Sequence, residues 1–248
     1  ICMPAGAPLA KVEGTKNYGA EVVLVPGVYD DAYAKAVELT NEHGYTFAHP
    51  FNDERVIAGQ GTIGLEILEQ LPDVDQIGGG GLISGISFAV KSIKPSCKII
   101  GVQAAGAPSM YVSRQHGEPT ELESVSTIAD GIAVKKPGDL TYELCSKYVD
   151  DIVTVSEDEI ASAILKLMEC QKTVSEGAGA VSVAAVMFGK VPTEGKKTVC
   201  VVSGGNIDVT MLSRIITKGL SKSGRMCEIT TKVMDKPGQL ISLLQVQT

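Results

Sequence analysis

Hydrophobic positions along the chain alternate between short apolar runs, typical of buried strands, and longer stretches with the spacing of amphipathic helices. This order, strand then helix then strand, is typical of parallel sheets. The pattern therefore predicts an α/β protein whose parallel sheets are flanked by helices. The predicted strands are residues 1–4, 21–25, 45–48, 75–77, 98–102, 151–155 and 198–202. The predicted helices are residues 7–18, 30–42, 53–71, 108–115, 137–149, 157–171 and 176–188. Two further helices are predicted, one that begins near residue 82 and one that ends near residue 221.

Local signals place two helix starts. Asn52 or Asp53 is an N-cap candidate, and Ser156 with Glu159 forms a capping box. Gly59 and Gly61 fall inside the first of these helices, where each costs about 1 kcal/mol against alanine. We therefore expect another backbone to pass close to them.

The most informative stretch is GGGGLISG, residues 78–85. Four consecutive glycines followed by a helix start offer unhindered N–H groups at the positive end of a helix dipole, which suits a phosphate. A tight turn or close backbone packing is the alternative. The spacing departs from GxGxxG because Gly85 comes one place late, which argues against a dinucleotide. The strand before Gly78 looks too short, which suggests that residues are absent there.

Composition narrows the class of protein. The chain has 248 residues, 44% hydrophobic residues, a net charge of −7 and no basic cluster, so nucleic acid and anionic membranes are unlikely partners. Six cysteines without a C-x-x-C pair indicate free thiols and a cytoplasmic location. The three histidines lack ligand spacing and are expected in loops or at the surface. The long irregular stretch 117–136 is expected to be functional.

Five motifs in order resemble threonine ammonia-lyases (threonine dehydratases): GGGGLISG, IAGQGT at 57–62, TIADG at 127–131, EGAGA at 176–180 and SGGNID at 203–208. The resemblance implies a fold-type II pyridoxal-phosphate enzyme, similar to the tryptophan synthase β subunit, with parallel sheets in two domains and a cleft between them. Residues 1–49 would be the C-terminal part of the small domain and residues 50–224 the large, cofactor-binding domain. DKPGQL resembles the opening of an ACT regulatory domain, which would occupy residues 225–248.

The resemblance also implies site residues. The phosphate of pyridoxal 5'-phosphate would be wrapped by Gly78, Gly79, Gly80, Gly81 and Leu82. Ser203 would bond the pyridine nitrogen, and Glu176 and Phe51 would lie beside the ring. Each of these three side chains has a structural alternative: a strand-end cap for Ser203, a structural carboxylate for Glu176 and a core residue for Phe51.

Two features depart from the family. The Schiff-base lysine and the loop that grips the substrate carboxylate are expected upstream of Ile1, so we expect the sequence to lack the N-terminal part and most of the regulatory domain. Serine racemases bind a divalent cation in the segment that corresponds to 103–109. Gln103 and Ser109 stand there instead and are poor ligands for a hard cation, which predicts no metal and favours the ammonia-lyase branch.

The resemblance implies deamination of L-threonine, with L-serine as a lesser substrate. An allosteric amino-acid effector and a homodimer or homotetramer are further implied. Three alternatives stay open at this point: a serine racemase or serine dehydratase on the same scaffold, a nucleotide-dependent oxidoreductase, and a non-catalytic amino-acid sensor.

Overall fold

The computed structural model describes residues 1–7, 9–27, 29–79, 82–222, 224–227, 229–233, 236–239, 241 and 245. Within them the strands are β1 (Cys2–Pro4), β2 (Val23–Val25), β3 (Gln76–Gly79), β4 (Lys98–Ala104), β5 (Asp151–Val155) and β6 (Thr198–Cys200). The helices are α1 (Leu9–Asn17), α2 (Tyr29–His43), α3 (Glu54–Gln70), α4 (Ile83–Ile93), α5 (Ser109–His116), α6 (Asp139–Tyr148), α7 (Glu157–Gln171), α8 (Gly177–Met187) and α9 (Val209–Lys222). A short 3-10 turn spans Asp130–Ile132.

The strands of the described residues form two parallel sheets. β1 pairs with β2, and the larger sheet has the order β5-β4-β3-β6. Every pairing is parallel, so the strands of the larger sheet all end at the same edge. The α/β fold with parallel sheets and flanking helices, predicted from the sequence, is confirmed.

The larger sheet is buried on both faces. Ile100 and Val102 of β4 belong to a core cluster shared with α7 and α8, whereas Ile99 belongs to a second cluster shared with α4 and α6. Successive side chains of a strand point to opposite faces, so one strand contributes to both clusters. Burial on both faces is typical of parallel sheets covered by helices.

Helices α3 and α4 pack with their backbones in contact. A Cβ atom on Gly85 would lie 2.2 Å from the carbonyl oxygen of Ile57, and one on Gly61 would lie 3.2 Å from the carbonyl oxygen of Gly85. The prediction that another backbone passes close to the glycines of α3 is therefore confirmed for Gly61. It is wrong for Gly59, where a Cβ atom would meet nothing within 4 Å.

Local signals at the helix starts behave as expected. Asp53, rather than Asn52, is the N-cap of α3 and accepts the N–H of Arg55. Ser156 and Glu159 form the capping box of α7, with the two bonds at 3.3 and 2.7 Å.

Two strand predictions need correction. Residues 45–48 are not a strand, because no strand of the described residues pairs with them; the rings of Tyr45 and Phe47 pack instead on His43 and Tyr33 of α2. The strand before the glycines is also longer than predicted, because Gly78 and Gly79 belong to it. Gly78 pairs with Ile100 and Cys200, and Gly79 pairs with Gly101. The glycines therefore supply the length of the strand, and no missing residues need to be assumed before Gly78.

Near the C-terminus, the alternating sequence of residues 226–233 predicts a strand, but residues 226, 227 and 229–233 do not form one. The sequence also predicts a turn at 235–238 and the start of a helix at 239–244. Residues 235, 240 and 242–244 of these lie outside the described residues. None of the helices in the described ranges combines the length and hydropathy of a membrane span.

Candidate functional site

A cavity of about 320 Å³ lies where the strands of the larger sheet end. Gly101, Val102 and Gln103 from the end of β4 line it, together with Leu82 after β3 and Ser203 after β6. Ligands of parallel α/β sheets bind in the crevice beyond the carboxyl ends of the strands, and this cavity occupies that place.

Three helices of the described part begin at the cavity: α4, α5 and α8. Their first residues, among them Ser84, Ser109 and Ala178, line it. The preceding residues, Leu82, Pro108 and Glu176, make no side-chain capping bond. Because the first N–H groups of a helix have no partner inside the helix, this edge offers donors to an anion.

The structure brings four of the predicted site residues to this one cavity: Phe51, Leu82, Glu176 and Ser203. Gly78 and Gly79 precede Leu82 in the chain and belong to β3, where they pair with neighbouring strands. They are not among the described residues that line the cavity. Gly80 and Gly81 lie outside the described residues. Wrapping of a phosphate by the four glycines therefore stays a prediction.

Close backbone packing fixes the position of Ser203. A Cβ atom on Gly179 of α8 would lie 1.5 Å from the carbonyl oxygen of Ser203, so only glycine allows this approach. The next residue, Gly204, has φ of +78°, a conformation that side chains disfavour. The SGG sequence therefore lets the chain turn sharply at the cavity edge.

Glu176 also holds the turn at Ser203 and Gly204, through hydrogen bonds. Its N–H donates to the carbonyl oxygen of Gly204 at 3.0 Å, and its Oε2 accepts the N–H of Asn206 at 3.1 Å. Ser175, which is fully buried, also donates to Gly204. Glu176 therefore lines the cavity and holds the loop that carries Ser203.

Gln103 has a structural partner. Its Oε1 accepts the N–H of Tyr111 at 2.8 Å and so ties the end of β4 to the first turn of α5. Ser109 is 2% exposed, and its carbonyl oxygen accepts the hydroxyl of Ser113. The described residues contain no cluster of three or more His, Cys, Asp or Glu side chains placed for a metal.

Several lining residues were not found by sequence reasoning. Gln60 comes from α3, and Thr141 and Cys145 come from α6. They lie on helix faces whose spacing indicates burial but not which cavity they meet. Burial raises the pKa of Cys145 to about 12, so its thiol stays protonated and unreactive. No lysine is among the described residues that line the cavity.

A cofactor that carries a phosphate on an aromatic ring fits this arrangement. Uncapped helix starts offer donors for the phosphate, and Ile83, Ile132 and Val134 offer apolar walls for a ring. Ser203 supplies a hydroxyl at a strand tip for a ring heteroatom. A Cβ at Gly179 would meet the carbonyl oxygen of that serine, and a Cβ at Gly204 would lie 2.6 Å from the Glu176 carboxyl group, so the turn that places Ser203 needs both glycines.

Comparisons with known proteins agree with this geometry. The family described as pyridoxal-phosphate dependent enzyme matches residues 1–204. L-threonine ammonia-lyase of Thermotoga maritima is 56% identical over 250 residues, covering 99% of this chain and 62% of that protein. The chain thus spans about three fifths of that relative's length.

Two solved structures are similar in fold. The processed form of threonine deaminase isoform 2 from Solanum lycopersicum has a TM-score of 0.81 at 35% identity, covering 88% of this chain and 62% of that one. Maize serine racemase has a TM-score of 0.80 at 34% identity, covering 90% and 70%. The resemblance read from the five motifs is confirmed, and the chain belongs to the family of pyridoxal-phosphate dependent enzymes.

Proposed function

We propose that the protein containing this chain is a threonine ammonia-lyase, which deaminates L-threonine to 2-oxobutanoate and ammonia and acts more slowly on L-serine. The observation that carries the proposal is the meeting of Ser203 and the uncapped start of α4 in one cavity. The 56% identity to the Thermotoga maritima L-threonine ammonia-lyase supports the substrate.

In this proposal the N–H groups at Leu82 and the first turn of α4 hold the phosphate of pyridoxal 5'-phosphate, together with Gly80 and Gly81, and Gly78 and Gly79 lead the chain to that place as the end of β3. Ser203 bonds the pyridine nitrogen, and Glu176 and Phe51 lie beside the ring. When bound, the cofactor withdraws electrons from the α-carbon of the amino acid. The residues of this chain fix its position and keep water away from its apolar side.

The identity of Ser203 bears on the reaction. A neutral hydroxyl does not hold a proton on the pyridine nitrogen as a carboxylate would. The ring is then a weaker electron sink, which suits elimination of a β-hydroxyl better than chemistry that needs a long-lived carbanion. The close contact of Gly179 with Ser203 supports a fixed position for this bond.

The test is turnover by the full-length protein with saturating pyridoxal 5'-phosphate. We expect L-threonine to yield 2-oxobutanoate and ammonia in equal amounts, and a Ser203→Ala variant to bind the cofactor more weakly. Removal of the cofactor by dialysis should abolish product formation. A folded, cofactor-saturated protein that releases no 2-oxobutanoate would contradict the proposal.

Serine racemase activity is the second candidate, supported by the likeness to the maize enzyme. Chiral analysis of the products from L-serine separates the two: D-serine indicates racemisation, and pyruvate with ammonia indicates elimination. Gln103 accepts the N–H of Tyr111 at a position where serine racemases hold a cation, and this use of its side chain supports the ammonia-lyase.

Further properties of the whole protein belong to the same proposal. We propose a cytoplasmic location, supported by six free cysteines, and a homodimer or homotetramer. The division into residues 1–49, 50–224 and 225–248 is proposed with it. DKPGQL supports an ACT domain from about residue 225, with allosteric control by a branched-chain amino acid and a role in isoleucine biosynthesis.

A further inference from the structure

His49 lies at the base of a turn whose backbone folds around its imidazole. Its Nδ1 is 3.2 Å from the amide nitrogen of Phe51 and 2.9 Å from that of Asn52, and both N–H groups donate to it. A protonated Nδ1 cannot accept a hydrogen bond. These two bonds therefore require the neutral ring with its proton on Nε2.

The same imidazole is packed among aromatic rings. Phe51, which lines the cavity, meets it edge to face with 4.6 Å between ring centroids. Tyr33 of α2 and Phe47 meet it at 5.6 and 6.0 Å. His49 therefore lies between α2 and Phe51, which is part of the cavity wall.

The turn also reaches the opposite wall. Oδ1 of Asn52 accepts the N–H of Leu140, in the first turn of α6, at 3.0 Å. Two residues of α6, Thr141 and Cys145, line the cavity. A displacement of the turn would therefore move Phe51 directly and α6 through Asn52.

We propose that His49 is a positioning residue, whose neutral imidazole holds the turn of Phe51 and Asn52 in place and thereby sets one side of the cavity. The inference rests on the proposed function, because the cavity is taken to be the cofactor and substrate site. His49 itself does not line the cavity among the described residues.

Protonation of His49 opposes this role. Burial lowers the pKa of His49 below its ordinary 6.5, and the Asp53 carboxylate acts in the other direction. Tyr33 of α2 is a further titratable side chain packed against the ring. Because the folded protein favours the neutral ring, the stabilisation is present above pH 6.5. It is lost as the pH falls through the lowered pKa.

Two substitutions separate the hydrogen bonds from the packing. His49→Phe keeps an aromatic ring but removes the acceptor. His49→Asn keeps an acceptor that can bond N–H groups two and three residues on, as in an Asx turn. His43→Phe is the matched control, because His43 is an exposed histidine at the end of α2, away from the cavity.

The readouts are cofactor affinity, followed by fluorescence on titration with pyridoxal 5'-phosphate, and KM and kcat for L-threonine. We expect His49→Phe to weaken cofactor binding, to raise KM for L-threonine, or both, by about tenfold, because two backbone N–H groups lose their acceptor. We expect His49→Asn to stay near wild type in both quantities. We expect the wild type to lose cofactor affinity as the pH falls below 6.5, and His49→Asn should lack this fall. His43→Phe should change none of these.

Equal effects of His49→Phe and His49→Asn, or no effect of His49→Phe, would overturn the inference. If His49→Phe does not fold, the tautomer of the wild-type ring tests the inference instead. Nitrogen NMR should show that Nδ1 is unprotonated at pH 7. A proton on Nδ1 would overturn the inference. Failure of the wild-type protein to bind the cofactor or deaminate threonine would count against the proposed function instead.

Discussion

At the scale of single residues, the loops around the cavity are held by side chains that accept backbone N–H groups. Glu157 accepts the N–H of Ile128 at 2.6 Å and so anchors the TIADG loop, as Gln103 anchors α5 and Asn52 anchors α6. Such bonds fix a loop without filling the cavity. Their loss leaves a partly buried donor unpaired, which costs up to about 3 kcal/mol.

Asp53 gives a prediction about acid stability. Hydrogen bonds from the Arg55 side chain and backbone N–H hold the pKa of Asp53 at about 2, below its ordinary 3.8. Its contribution to stability is therefore present above pH 3.8 and lost as the pH falls towards 2. Asp53→Asn, which retains the N-cap, should lose less stability than wild type between pH 4.5 and 3 in urea unfolding.

Asp53→Ala is the control, because it removes the cap as well as the charge. It should be less stable than wild type at pH 7 too. An Asp53→Asn protein that keeps the full pH dependence of the wild type would contradict the assignment.

The motifs and the family resemblance predicted that Phe51, Leu82, Glu176 and Ser203 serve the site, and these residues meet in the cavity. Leu82, Glu176 and Ser203 could be predicted because each stands in one of the glycine-containing motifs that carry the resemblance. Phe51 stands in none of these motifs and was implied by the resemblance alone. Thr141 could not, because it looks like any small polar residue on a helix. Its place in the cavity depends on how α6 docks.

At the scale of elements, the contact between α3 and α4 forms one wall of the cavity. Ile57 and Gln60 of α3 line it beside Ile83 and Ser84 of α4. Since backbone touches backbone at Gly85, the separation of the helices is set by the absence of a side chain there. The width of the cavity at this wall depends on that separation.

A methyl group at Gly85 should therefore push the helices apart. Gly85→Ala places a Cβ atom 2.2 Å from the carbonyl oxygen of Ile57 and 2.8 Å from the nitrogen of Gly61. We expect a loss of roughly 1–3 kcal/mol in the free energy of unfolding, as overpacking generally costs. Cofactor affinity should fall with it, and urea unfolding with cofactor titration measures both.

Gly59→Ala is the matched control within α3, because nothing lies within 4 Å of its new methyl group. It should be neutral or stabilising by up to about 1 kcal/mol. If both substitutions had the same effect, close packing would not explain the glycine at 85.

The errors made from sequence at this scale have a common physical source. Residues 45–48 have the composition of a strand, but no strand of the described residues pairs with them. Gly78 and Gly79 have the composition of a loop but pair with neighbouring strands. Strands need neighbours, and pairing depends on contacts that are distant along the chain. Helices and caps, which depend on nearby residues, were predicted more closely.

At the scale of the whole molecule, an ion pair joins the two sheet regions. Lys11 of α1, which follows β1, lies 2.9 Å from Asp130 in the TIADG loop beside the larger sheet. The two side chains are 30% and 58% exposed, so water and salt screen the attraction.

A double-mutant cycle with Lys11→Met and Asp130→Asn should give a coupling of about 0.2–1 kcal/mol at low salt, and less at high salt. The Lys91–Asp150 pair is the comparison. Lys91 is only 14% exposed, and Asp150 also accepts the N–H of Ile99 at 2.6 Å. Asp150→Asn should therefore destabilise the protein more than Asp130→Asn does. If Asp130→Asn proved more destabilising than Asp150→Asn in thermal unfolding, the Lys11–Asp130 pair would stabilise the fold more than its exposure implies.

The order of strands in the larger sheet has a consequence for biosynthesis. β6 is the last of its strands to be made, yet it pairs directly with β3, and Ser203 follows it at the cavity edge. A nascent chain on the ribosome thus reaches a stage at which three strands are available while one side of the pocket is still unsynthesised. In the proposed site, where Ser203 bonds the cofactor ring, capture of the cofactor has to wait until the residues after β6 have left the exit tunnel.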